Sequence, residues 1–265
     1  MKNGGECMSQ KKRIEQIKEL LHVHNEISLE DIMEKFQVSR DTARRDLVKL
    51  EEDGDIVRVK RGAILSSKHS HVPRYQERNI SQEKEYIAQT ACSLIHDGDT
   101  ILFDTSTTVE LAARYMRSKD ITAITNSIDI VTNLSDRPDI TVYMVGGKFN
   151  PYHRNFVGLH TVEELAKYQA HTLFIGACGL GTGGLTAPDE GEAYVKKGMI
   201  RASQRVIVLT ESTKFQKTFL HKVCGLEEID IIITDRVPPP EIEQQLHNYN
   251  IELIVTNKNM RSDYQ

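Results

Sequence analysis

No tryptophan, no C-x-x-C pair and no long uninterrupted apolar run occurs in this sequence, and each absence narrows what the chain can be. The four cysteines, Cys7, Cys92, Cys178 and Cys224, stand singly, which argues against a zinc site or a thioredoxin-like motif and fits a reducing compartment. Apolar runs such as Ile229–Ile233 are broken by Asp230 and far too short to span a bilayer. Met1–Lys12 is polar, without the apolar stretch of a secretory leader. A cytoplasmic protein with no membrane partner is expected. An excess of one charge is missing too, since 34 Lys and Arg against 38 Asp and Glu leave a net charge of −4. Residues 1–65 hold 13 of each sign, so any nucleic-acid interface there must come from the placement of charge rather than its amount.

What is present suits two domains. The 265 residues, 39% hydrophobic, supply one small and one medium core. Ile14, Ile17, Leu20 and Leu21 recur at helical spacing and predict a helix over 9–24. Ser28 is a good N-cap for a second helix carrying Leu29, Ile32, Met33 and Phe36, and Ser39 for a third running to about Glu52, closed by Gly54. The alternating stretch Ile56–Ile64 predicts a small basic hairpin. Three helices with a tight second turn and a hairpin make a winged helix-turn-helix. Its third helix turns Ala43, Leu47 and Leu50 inward and leaves Asp41, Thr42, Arg44 and Arg45 on other faces, with Arg40 near the edge of the stripe. Donors at the N-terminal end of such a helix reach base edges and phosphates. Candidate DNA contacts are therefore Ser39, Arg40, Thr42, Arg44 and Arg45, with Lys60 and Arg61 on the wing. The alternative is a three-helix protein-interaction module with a solvated charged face.

Ser66–Pro73 is polar, aperiodic and ends in proline, which reads as a linker, taken to extend over 66–78. Its two histidines lack carboxylate or thiol companions, so no metal site is expected. Beyond it, strand candidates Thr100–Phe103, Thr122–Thr125, Thr141–Val145, Thr172–Ile175, Arg205–Leu209, Ile229–Ile233 and Glu252–Val255 alternate with helical segments, which predicts an α/β domain with a mainly parallel, Rossmann-like sheet over 79–258. Polar groups follow each run: Asp104 to Thr108, Asn126-Ser127, Gly146-Gly147-Lys148, Gly176 to Gly179, and Thr210 to Lys214. Open α/β sheets bind ligands at that edge. Thr105, Ser106, Thr107 and Thr108 enter a helix, where free N–H groups and hydroxyls suit a phosphate, and Lys214 supplies balancing charge. The bland alternative is that these residues merely cap helices. Gly179-x-Gly181-x-x-Gly184 formally matches a dinucleotide loop, but Pro188 follows and no helix opens at its third glycine. No cofactor is expected.

The string Phe36-Gln37-Val38-Ser39-Arg40-Asp41-Thr42-Ala43-Arg44-Arg45-Asp46-Leu47, with Leu50-Glu51 and Gly54, resembles the DeoR family of bacterial regulators. Ala43 replaces the usual isoleucine, and Arg61 stands where the wing often has the first of two glycines. The resemblance runs on through Phe103-Asp104-x-x-Thr107-Thr108, Thr125-Asn126-Ser127, Gly146-Gly147, Gly158, Gly179, Glu192-Ala193 with Lys196, Ser212-x-Lys214-Phe215 and Ile233-Thr234-Asp235. The family's sensor domain is similar to ribose-5-phosphate isomerase. The resemblance implies an effector pocket lined by Asp104 to Thr108, Thr125 to Ser127, Gly146, Gly147, Glu192 and Lys214. Two departures stand out: Ser106 for a common glycine, crowding the phosphate loop, and Glu211 for a common aspartate.

The reading that follows is a transcription regulator, a repressor of a carbohydrate-utilisation operon, whose partners are a double-stranded DNA operator and a phosphorylated sugar. A single winged helix reads too few bases to be selective, so a homo-oligomer, dimer or tetramer, is expected. The rival is a sugar-phosphate isomerase with an appended DNA-binding domain. Related isomerases carry an acid on the loop after the mid-sheet strand, where this chain has Cys178, a poor general base unless its pKa is depressed.

Overall fold

The periodicities of the first 65 residues become helices and strands where they are expected. The computed structural model describes residues 9–24, 26–52, 56–65 and 74–256, and the chain separates into two units, Met1–Val72 and Pro73–Gln265. The first contains α1 (Gln10–His24), β1 (Glu26–Ser28), α2 (Leu29–Phe36), α3 (Arg40–Glu52), β2 (Ile56–Val59) and β3 (Gly62–Leu65). Ser28 starts α2 with a capping box: its hydroxyl accepts from Asp31 N–H at 3.0 Å, and the Asp31 carboxylate accepts from Ser28 N–H at 2.9 Å. Ile17, Leu21, Ile32, Ala43, Leu47 and Leu50 are almost wholly buried together. The strand β1, too short to show a period, joins the hairpin in the order β1-β3-β2. Gly62 makes that pairing possible, because a Cβ there would lie 2.0 Å from the Ile27 carbonyl oxygen. Arg61 sits in the turn before it without a left-handed backbone. The third helix's expected C-terminal glycine, Gly54, and the linker stretch Ser66–Pro73 lie outside the described residues.

The second unit runs α4 (Gln82–Cys92), β4 (Thr100–Phe103), α5 (Thr107–Tyr115), β5 (Ile121–Thr125), α6 (Ile128–Leu134), β6 (Ile140–Met144), β7 (Lys148–Asn150), β8 (Asn155–Val157), α7 (Leu159–Leu165), β9 (Ala170–Gly176), β10 (Gly179–Gly181), β11 (Gly184–Ala187), α8 (Glu190–Arg201), β12 (Ser203–Thr210), β13 (His221–Cys224), β14 (Ile231–Thr234), α9 (Pro240–Asn248) and β15 (Glu252–Val255). Seven parallel strands form one sheet in the order β15-β14-β12-β9-β4-β5-β6. Alternate strand residues pack two apolar layers. Leu102, Ile124, Leu173 and Val208 face Leu165, Met199 and Leu246, while Ile101, Phe103, Ile121 and Ile207 face Ile87, Leu111 and Ile130. Burial on both faces is why these strands read as near-continuous apolar runs.

Three details refine the expectation. The predicted strand at Ile229 starts two residues later, because Asp230 uses its carboxylate to accept from Val206 N–H at 2.7 Å. The glycine-rich stretch 179–184 is paired as a β-hairpin, with Gly181 opposite Gly184; as expected no helix opens at its third glycine, and α8 begins only at Glu190. Residues 74–78, counted with the linker, are built into the second unit: Tyr75 is buried, and its hydroxyl donates to Glu110 at 2.6 Å.

Candidate functional site

On α3 the polar residues at the N-terminal end stand free of the core. Ser39 Oγ lies 3.0 Å from Thr42 Oγ1 and accepts from Thr42 N–H at 3.3 Å, so the start of the helix is capped and held. The left-handed Gln37 closes α2 and turns the chain into it. Arg40, Arg44 and Arg45 are exposed, as are Lys60 and Arg61 on the β2–β3 turn. None of these five cations has an ion pair among the described residues. Asp46 of the same string is fully buried and takes two hydrogen bonds from Arg13 of α1, at 2.6 and 3.1 Å. It fixes the orientation of α3 and leaves the arginines beside it for a partner.

In the sheet, the chain runs β4-β5-β6 to one side and β9-β12-β14-β15 to the other, so the topological switch lies between β4 and β9. A crevice opens at the carboxyl end of strands at such a point. Asp104, just past β4, is buried, and its carboxylate accepts from Gly176 N–H at 3.0 Å and from Lys196 of α8. Lys196 also donates to the Gly176 carbonyl at 3.0 Å. Ser106 fits the loop because residue 176 is glycine: a Cβ there would lie 2.4 Å from the Ser106 Cβ and Oγ. Ser106 begins α5 without a side-chain cap, so the first N–H groups of that helix lack an intrahelical or side-chain partner. Thr105 donates to Asn126 Oδ1 at 3.0 Å, Thr125 Oγ1 to the Phe103 carbonyl at 2.8 Å, and Asn126 Nδ2 to the Phe156 carbonyl at 2.8 Å. Ser127 caps α6.

Glu192, one turn before Lys196, completes the group. Burial pushes its carboxyl up, with Asp104 adding to the effect against Lys196 and Arg78, to about 7. Burial opposes the charge on Lys196, yet Asp104, Cys178 and Glu192 outweigh it and hold the ammonium above its ordinary value. Burial and the nearby Glu192 raise the Cys178 thiol to about 11. Cys178 is thus a neutral group, not a base. His153 and Asn155 approach from the β7–β8 side: Asn155 Nδ2 donates to Glu192 Oε1 at 3.3 Å, and His153 Nδ1 lies 3.5 Å from the same oxygen. Burial and then Arg78 push His153 down to about 4, so the ring is neutral.

The structure brings Asp104–Thr108, Thr125–Ser127 and Glu192 to one end of the sheet. Gly146 and Gly147 follow β6 and are joined to α7 through Thr161, whose hydroxyl donates to the Gly146 carbonyl at 2.9 Å, while the space beside the Gly146 Cα is open. Lys214 lies on a short 3-10 turn after β12. Burial lowers the Lys84 ammonium, which Glu211 opposes, and the charges of Lys214 and Arg78 lower it further. Glu211, the longer acid at its position, reaches Ser81 Oγ at 2.8 Å and Lys84 Nζ at 3.8 Å. Sequence reasoning missed Arg78, Lys84, His153 and Asn155, which stand outside the strand-end pattern that flagged the rest.

Residues 13–69 match the DeoR-like helix-turn-helix domain, and residues 79–236 match the DeoR C terminal sensor domain. The HTH-type transcriptional repressor GlcR of Bacillus subtilis is 40% identical over 97% of this chain and 100% of its own. The lactose phosphotransferase system repressor of Staphylococcus aureus is 30% identical, covering 89% of this chain and 96% of its own. Among solved structures, ribose 5-phosphate isomerase A from Methanocaldococcus jannaschii aligns with TM-score 0.37 and 18% identity, over 50% of this chain and 53% of that one. Among the described residues no helix is long and apolar enough to cross a membrane. The chain belongs to the DeoR family: it is a DNA-binding transcription regulator with a sensor domain for a small-molecule effector, not an enzyme.

Proposed function

We propose that this protein is a cytoplasmic repressor of a carbohydrate-use operon, controlled by a phosphorylated sugar bound where β4 meets β9. Residues 9–65 read DNA through Ser39, Arg40, Thr42, Arg44, Arg45, Lys60 and Arg61, residues 66–78 join the domains, and residues 79–258 sense the effector. The observation that carries the effector reading is the uncapped N-terminus of α5, ringed by the buried hydroxyls of Thr105, Thr107 and Thr108 at the switch point of the sheet. Lys214 supplies a point charge for the phosphate. Asp104, Thr125, Asn126 and Glu192 suit sugar hydroxyls, with Ser106, Ser127, Gly146 and Gly147 shaping the loops around them. Relatives named as repressors of a glycerol-3-phosphate regulon and a lactose phosphotransferase system support an effector of that class.

Calorimetry tests this reading. A sugar phosphate binds and its free sugar binds far more weakly, while Lys214→Ala loses the response to the phosphate ester and keeps DNA binding. Equal affinity for ester and sugar, or a normal response from Lys214→Ala, refutes the phosphate site. The protein acts as a homo-oligomer, dimer or tetramer, on a repeated or palindromic operator. The edge strand β6 supports this, since Tyr143 and Met144 leave apolar surface exposed there. Light scattering that gives only the 30.1 kDa chain, with and without DNA, refutes it. In the oligomer, effector and operator favour different arrangements, and each weakens the other by the same factor.

A further inference from the structure

The sensor unit begins with a short segment, Arg74–Arg78, that follows directly on the residues joining it to the DNA-binding unit. This segment is anchored rather than draped. Tyr75 N–H donates to the Tyr152 carbonyl at 3.0 Å, and the Arg78 guanidinium lies 5.1 Å from the centre of the Tyr75 ring. Arg78 then reaches inward, with Nη2 2.6 Å from His153 Nδ1. An arginine only donates, so His153 Nδ1 accepts and the neutral ring carries its proton on Nε2. His153 is buried beside Glu192, and Asn155 donates to the same Glu192 oxygen. Three contacts therefore lead from the wall of the effector site to the segment that continues toward the DNA-binding unit.

A second, independent feature marks that wall as a place where a ligand belongs. Asn155 is 3% exposed, and its Oδ1 has no hydrogen-bond partner. Buried acceptors of this kind are ordinarily satisfied. Its own Nδ2 is held by Glu192, so the amide presents the oxygen to whatever donor enters beside it. A sugar hydroxyl is such a donor.

We infer that Arg78 is the positioning residue through which effector occupancy reaches the DNA-binding unit. A hydroxyl of the bound effector donates to Asn155 Oδ1, the Asn155–Glu192–His153 set resettles around it, and the Arg78–His153 contact takes a different geometry in the two states. This inference rests on the effector site described above. It also requires the effector to bind the two states with different affinity, because otherwise it shifts nothing.

The test uses the full chain, glycerol 3-phosphate, ribose 5-phosphate and a set of hexose 6-phosphates as probes, and a duplex selected by the protein from random DNA. Two quantities are measured: the Kd of the sugar phosphate on DNA-free protein, and the ratio of duplex Kd values with and without that compound. For the natural sequence the ratio is expected at about 5–150-fold, the usual span of allosteric coupling. Arg78→Gln is expected to bring the ratio close to one, with the sugar phosphate still bound and the effector-free duplex affinity retained. Arg78→Lys, which keeps a charged donor, is expected to restore part of the ratio. Asn155→Leu, which removes the receiving oxygen at similar volume, is expected to weaken sugar-phosphate binding at least tenfold, about the worth of one good hydrogen bond. An Arg78→Gln protein with the full ratio overturns the inference. So does one that loses the ratio only because it no longer binds the sugar phosphate, which makes Arg78 a direct ligand. Unchanged binding by Asn155→Leu overturns it as well. If the unaltered protein binds none of the compounds, the effector-site reading itself has failed, and this inference falls with it.

Discussion

The two units place their charges in opposite ways. Among the described residues of the DNA-binding unit the core is apolar apart from the Arg13–Asp46 pair, and Arg40, Arg44, Arg45, Lys60 and Arg61 stand in solvent. In the sensor unit Asp104, Glu192 and Lys196 are withdrawn from solvent and face one another. An exposed cation costs the fold nothing and waits for phosphate. A buried charge must be compensated by its neighbours before any ligand arrives. Substitutions in the first unit should therefore separate function from stability, and those in the second should not.

The largest effect expected falls on the buried pair. Asp104→Ala leaves Lys196 with the Gly176 carbonyl and removes the acceptor of Gly176 N–H, so the sensor unit should lose ~3–5 kcal/mol, as broken buried ion pairs do. Denaturant unfolding measures it, and a loss below about 1 kcal/mol would mean that Glu192 replaces Asp104 as the partner. Glu192 gives the next effect. Its carboxyl stands at about 7 in the folded protein, against a reference of 4.5. Between those values the folded state binds more protons than the unfolded one, so this group's contribution to stability falls as pH rises through the window. His153, lowered from 6.5 to about 4, works in the opposite sense over pH 4 to 6.5 and masks the trend in the unaltered protein. Glu192→Gln removes only the first contribution. Its stability relative to the unaltered chain should rise by about 3 kcal/mol between pH 4.5 and pH 7, since one proton held across that window is worth roughly 1.4 kcal/mol for each pH step of one. A flat difference across that range would show that Glu192 is not the titrating group.

Much of this comparison is legible in the sequence where local chemistry fixes the outcome. Ser28 and Ser39 announce helix starts, Ala43, Leu47 and Leu50 announce the buried face of α3, and seven apolar runs announce the sheet. Polar residues immediately after strands fall at one edge because parallel strands share a direction, so Asp104, Asn126 and Gly176 meet there. The residues around and behind this edge arrive from elements that no period reveals. His153 and Asn155 sit in the turn and on the second strand of a short hairpin, and Arg78 ends the stretch 66–78 that reads as linker. Their placement depends on long-range pairings such as Ser127 with Asn155, and on the Tyr75–Glu110 contact, which composition does not encode.

The smallest effect expected on the fold belongs to Arg45→Ala, and it is the sharpest test of the contrast. Arg45 is exposed on α3, has no ion pair among the described residues, and lies across the helix from Ala43, Leu47 and Leu50. Alanine is the better helix former, so unfolding should change by no more than about 0.5 kcal/mol, as at most surface positions. Operator affinity should nonetheless fall by about 1–3 kcal/mol per half-site, doubled in a dimer, because a base or phosphate contact is lost at each recognition helix. A titration in rising salt distinguishes the two kinds of contact. Loss of a phosphate contact weakens binding to all sequences and lowers the salt slope by about one per half-site, whereas loss of a base contact weakens the operator selectively. If Arg45→Ala instead lowers the melting temperature and leaves operator affinity unchanged, Arg45 serves the fold, and the division between an expendable charged surface and an indispensable charged interior does not hold for α3.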